Sequence, residues 1–125
     1  MLLVAQIFSA VVLVIHVYIV LLETVLFSTR GWKVFAIPKE HVPILRPALS
    51  NQGCYNFFLV AALLLGFFHP QAEVAKAFQI FGLASVAVAG IWGGVTVMRK
   101  ILLIQTLPAV IALFALLLAQ NSPSP

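Results

Sequence analysis

The sequence predicts an all-α fold: a bundle of four transmembrane helices with both termini on the non-cytoplasmic side. Three observations predict it. Of 125 residues, 63% are hydrophobic and only 8% charged, where a soluble domain carries about 25% charged residues. Long apolar runs recur, each of a length that spans a bilayer core as a helix. Finally, the seven basic residues fall between those runs and not within them.

The chain is expected to form one membrane domain, residues 1–125, with helices at about 2–26, 51–68, 77–98 and 101–119. A backbone in hydrocarbon must satisfy its own amides, and helices do this for runs of such length. No alternation at period two suggests strands. The first run lacks the basic leader and small-residue cleavage site of a secretory signal, so it is expected to stay as the first crossing. The second run is short, so Asn51 and Gln52 are taken as its start. The tail QNSPSP ends the fourth helix with polar residues and prolines.

Orientation follows from charge. Arg30, Lys33, Lys39 and Arg46 lie between the first and second runs, and Arg99 and Lys100 between the third and fourth. Lys76 alone lies between the second and third. An even number of crossings puts the first two groups on one side, and the positive-inside rule makes that side cytoplasmic. The expected location is the plasma (inner) membrane, as a multi-pass protein. The net charge of +4 thus reads as topology, and nucleic acid is not expected as a partner. Residues 27–50 are read as a cytoplasmic loop, its prolines at 38, 43 and 47 preventing a continuous helix. Phe27, Trp32 and Phe35 in that loop resemble an interfacial aromatic belt.

Polar residues within the runs are the candidates for function. In the first helix Ser9, His16 and Glu23 recur at i, i+7, about 20° apart around the axis, and Gln6 joins them. A polar stripe on an otherwise aliphatic helix should face the bundle interior, because hydrocarbon penalises it elsewhere. At 1.5 Å per residue Glu23 lies roughly 6 Å inside the cytoplasmic edge and His16 roughly 16 Å. Asn51, Gln52, Tyr55 and Asn56 open the second helix at a similar depth. Thr96 and Arg99 end the third, and Gln105 lies in the fourth, three residues before Pro108, where a bend is expected. These nine residues are expected to line a polar pocket open to the cytoplasm. The opposite half of the membrane is expected to hold few polar groups beyond Gln6, Ser9 and Ser85. Gly90 and Gly94 form a small-xxx-small pair suited to close helix packing.

Each candidate has a plainer reading. Glu23 could be tied to Arg99, Arg46 or Lys100 as an ion pair that pins the loops. His16 could be a neutral imidazole hydrogen-bonded within the bundle. Asn51, Gln52, Tyr55 and Asn56 could be interhelical hydrogen bonds. His41 and His69 lie too far from His16 to complete a metal set, and the single cysteine, Cys54, is expected to be inert. No metal and no cofactor are expected. The expected partners are the bilayer, an unidentified small molecule and, where transport is the function, a second copy of the chain.

The stretches HVYIVLLE, NQGCYNFFL and VAGIWGGVTVMRKILLIQTLPA resemble the domain of unknown function 1304 family, small four-helix membrane proteins. The resemblance runs nearly end to end. Thr24, following LLE, stands where a larger side chain is expected in relatives. The resemblance implies a four-helix membrane fold and no particular reaction. Three function classes therefore stay open: binding or transport of a small solute with Glu23 as counter-charge; an isomerase- or cyclase-type enzyme using Glu23 and His16 as acid and base; and a structural accessory subunit.

Overall fold

The computed structural model describes residues 1–120, and every regular element in them is helical. In order these are α1 (Leu2–Glu23), α2 (Trp32–Val34), α3 (Val42–Phe68), α4 (Ala72–Thr96) and α5 (Leu107–Gln120). The span that ends in α5 begins in a wide turn, Leu102–Thr106. Four helical spans are long and apolar enough to cross a membrane: Leu2–Glu23, Lys39–Phe68, Ala72–Thr96 and Leu102–Ala119.

The four spans form a ring in which α1 packs on α3 and α5, and α4 packs on the same two helices. The diagonal pair α1 and α4 touch only marginally. The core is built from Ala5 and Val12 of α1, Leu63 of α3, Leu83 and Val86 of α4, and Ala109 and Ala112 of α5. Alanines at i, i+3 on α5 present no side chain beyond Cβ, so that helix can lie close against α1. Elsewhere large apolar side chains such as Leu3, Val14, Phe81 and Val88 face outward, as a lipid-bathed bundle requires.

The connection after α1 differs from the expected long loop. Helix α1 stops at Glu23, and Thr24 caps it from below, its hydroxyl donating to the Val20 carbonyl at 2.6 Å. The chain then widens: the amides of Arg30 and Gly31 both donate to the Leu26 carbonyl at 2.8 Å. This turn folds back on α1, and a Cβ at Gly31 would collide with the Leu22 carbonyl oxygen. Phe27 is wholly buried beneath it, so it belongs to the packed end of the bundle and not to an aromatic belt.

Helix α3 corrects the start expected at 51 and the reading of 27–50 as a loop, because it begins at Val42. Pro43 sits in the first turn, where its missing amide had no partner to lose. Pro47 removes a single hydrogen bond one turn later, too little to stop a helix of 27 residues. The third helix likewise starts earlier than 77, at Ala72, with Glu73 in its first turn, where a carboxylate complements the helix dipole. In the fourth span the wide turn Leu102–Thr106 ends just before the buried Pro108, an extra residue per turn being one way to accommodate a proline ring.

Candidate functional site

Gly53 is the element that builds the site. A Cβ there would lie 2.6 Å from the Thr24 Cγ2 and 3.1 Å from the Glu23 Cβ, so α3 crosses the end of α1 at van der Waals contact through a glycine. One helical turn on, Asn56 consequently reaches across, and its Nδ2 donates to the Glu23 Oε2 at 2.7 Å. Glu23 is 8% exposed. Among the described residues no cation is paired with it, so the plainer reading, an ion pair with Arg99, Arg46 or Lys100, is not what the structure holds. Arg30 instead lies 5.9 Å from the Tyr18 ring centroid, a cation–π contact at the surface of the bundle.

His16 lies deeper on the same face of α1 and is 1% exposed. Its Nδ1 stands 3.0 Å from the Val12 carbonyl oxygen. A carbonyl can only accept, so Nδ1 carries the proton, and Nε2 in the neutral ring presents a lone pair. That Nε2 is buried and has no hydrogen-bond partner among the described residues. Glu23 and His16 are separated by about 10.5 Å along the helix axis.

The remaining candidates divide. Gln105 is half-buried, its Cβ 3.1 Å from where a Cβ on Gly90 would stand. Asn51, Gln52, Tyr55, Thr96 and Arg99 are exposed. Tyr55 makes an edge contact with Phe58, and the Thr96 hydroxyl is satisfied within its own helix by the Trp92 carbonyl at 2.7 Å. The nine candidates therefore do not converge. Glu23 and Asn56 are joined, and His16 lies beneath them on one helix face. The motif NQGCYN explains this: Gly53 and Asn56, three apart, face inward, while Asn51, Gln52, Cys54 and Tyr55 face out.

One buried polar residue was not foreseen. Gln79 of α4 is 3% exposed, and its Nε2 donates to the Ser9 Oγ at 2.9 Å, linking the diagonal helices. The expectation of few polar groups in that half of the bundle is corrected accordingly. A signal was present: stepping back from Gly94 and Gly90 through Val86 and Leu83 at helical spacing lands on Gln79. All five are buried. Gly66 of α3 lies against the same residue, a Cβ there falling 2.9 Å from the Gln79 Cβ.

A family model described as a protein of unknown function (DUF1304) matches residues 10–117. The chain belongs to this family. His16, Glu23, Gly53 and Asn56 all lie within the region that the family model covers. Neither a curated protein nor a solved structure matches the chain.

Proposed function

We propose that this family member is a plasma (inner) membrane protein that binds a small cationic solute at Glu23 and Asn56, from the cytoplasmic side. The observation that carries the reading is the Glu23 carboxyl, buried at 8% exposure with an amide as its partner and no cation among the described residues. A carboxyl in a membrane helix is costly, and such groups default to function. A solute with N–H donors would share the carboxyl with Asn56, and only one that spans about 10.5 Å would also reach His16 Nε2. The sidedness rests on Arg30, Lys33, Lys39, Arg46, Arg99 and Lys100, which gather at the end of the bundle where Glu23 lies. Reporter fusions within 28–47 and after Lys100 should then read cytoplasm, and a fusion at the C-terminus should read the outside.

The His16 Nε2, without a hydrogen-bond partner among the described residues, favours a second reading, an isomerase- or cyclase-type enzyme with Glu23 and His16 as acid and base. The axial offset of about 10.5 Å requires a substrate long enough to reach both. Transport would further require a path through the other half of the bundle and, in four helices, a second copy to widen it. A purely structural subunit is the third reading, with the Glu23–Asn56 bond as its interhelical tie.

Native mass spectrometry of the protein extracted with its lipids tests the proposal. A small molecule should co-purify with the unaltered chain and be lost from Glu23→Gln, whose thermal unfolding stays unchanged. Loss of stability in Glu23→Gln with no bound molecule in either form would refute binding and favour the structural reading. A cysteine at position 23, in a Cys54→Ala background, should react with a soluble thiol reagent added from the cytoplasmic side. Complete protection in a folded protein would exclude access from that face.

A further inference from the structure

The exposed side of α4 carries two grooves that no part of the Glu23 reading uses. One, of about 570 Å³, is lined by Gly94, Val95, Val97, Met98, Arg99 and Leu102. The other, of about 540 Å³, is lined by Ala84, Ser85, Val88, Ala89 and Trp92. Ala84, Val88, Trp92 and Val95 recur at i, i+4, i+8 and i+11, so one stripe of the helix runs through both grooves. Val88, Trp92 and Val95 are 67%, 72% and 78% exposed. From Ala84 to Thr96, the last residue of α4, the stripe covers about 18 Å, which exceeds the ~15 Å of one bilayer leaflet, and Arg99 follows just beyond it. Apart from the Ser85 hydroxyl its walls are apolar, and they are basic at one end only.

That end is also the strongly charged end of the molecule. Arg99 and the adjacent Lys100 are exposed, and neither is paired with a carboxylate among the described residues. The exposed carboxylate of this end is Glu40, against six basic side chains, whereas Glu73 and Lys76 offset each other at the opposite end. An amphiphile with one negative head and a hydrocarbon tail matches both features of the surface. We propose that this side of α4 holds an anionic phospholipid, its phosphate against Arg99 and Lys100 and an acyl chain along Val95, Trp92 and Val88. The guanidinium can donate two parallel N–H bonds to phosphate oxygens, and the apolar stripe sets the depth of the chain. This site is separate from Glu23, and each can fail without the other.

Trp92 lies in the groove and reports its occupant. The full chain, in a Trp32→Phe background that leaves Trp92 as the single tryptophan, is reconstituted in phosphatidylcholine vesicles. Brominated phosphatidylglycerol or brominated phosphatidylcholine is then added by mole fraction and tryptophan quenching recorded. Basic residues at a membrane surface contribute about fivefold each in affinity for anionic lipid, so the two together predict a preference for phosphatidylglycerol of roughly 30-fold. Arg99→Gln/Lys100→Gln, which alters only exposed side chains, should bring the ratio close to one, and Lys76→Gln should leave it unchanged. Equal quenching by the two lipids in the unaltered chain overturns the proposal, as does a preference that survives in the double variant. Millimolar inorganic phosphate at constant ionic strength should not reduce the quenching. If it abolishes the preference, the basic pair binds a free anion and the assignment to lipid is refuted.

Discussion

Replacing Gly53 by alanine tests the contact on which the candidate site depends. The added Cβ would stand 2.6 Å from the Thr24 Cγ2, 3.1 Å from the Glu23 Cβ and 3.5 Å from the Val20 carbonyl oxygen. Carbon atoms in contact prefer about 3.5–4.0 Å, so the first of these is short by about 1 Å and something must move. Thr24 cannot rotate freely, because its hydroxyl is held by the Val20 carbonyl at 2.6 Å. Overpacking of this kind costs about 1–3 kcal/mol, and the better helix propensity of alanine returns about 0.5–1 kcal/mol. The net destabilisation should fall within about 0–2.5 kcal/mol, centred near 1 kcal/mol. Thr24→Ser deletes Cγ2 and keeps the hydroxyl, so in that background the nearest obstacle is the Glu23 Cβ at 3.1 Å. The double variant should therefore recover most of the loss, with a coupling of about 1 kcal/mol between the sites. Equilibrium unfolding in mixed detergent and SDS, measured on the four proteins of the cycle, gives that coupling. Additive effects would show that α3 does not cross α1 at Gly53, and the geometry assigned to Glu23 and Asn56 would fall with it.

Three further outcomes are expected. The same unfolding assay on Ser9→Ala, Gln79→Ala and the double variant should give a coupling of about 0.6 kcal/mol, with a ceiling near 1.7; zero coupling would mean the buried bond is not made. Gly90→Leu should lower folded yield or cost about 3 kcal/mol, because its Cβ alone would collide with the Thr106 hydroxyl and lie 2.9 Å from the Thr106 amide nitrogen; unchanged melting would place that face of α4 against lipid. Ala36 has a φ of 55° just after α2, where the amides of Ala36 and Ile37 donate back to Lys33 and Trp32, a helix ending that suits glycine. Ala36→Gly should therefore raise the melting temperature, by the equivalent of about 0.5–1 kcal/mol, and a lower value would refute the left-handed turn.

The candidate site was half legible. A repeat at i, i+7 placed Ser9, His16 and Glu23 on one face, and all three are buried, because helical periodicity is a property of one chain segment. Asn56 could be grouped with Asn51, Gln52 and Tyr55 by depth, but depth alone does not say which way a side chain points. The close approach at Gly53 makes that choice: it turns Asn56 toward Glu23 and leaves the other three exposed. The alternative of a basic residue beside Glu23 was not met for a related reason. Proximity to a basic cluster at one end of the bundle is a statement about one axis, whereas an ion pair needs agreement in all three.

Hydropathy and charge in the sequence by themselves determined that the chain is helical, that four spans can cross a membrane, and that basic residues gather at one end. These follow from the one-dimensional cost of placing polar groups and unpaired amides in hydrocarbon. Which helices are neighbours, that Phe27 is buried, that Gln79 meets Ser9 across the diagonal and that Glu23 takes an amide partner were decided only by the tertiary structure. Lipid tails are as apolar as leucine, so hydrophobicity does not choose among helix faces inside a membrane. Glycines at the crossings and a few polar pairs make that choice, and their effect exists only once two helices are in contact.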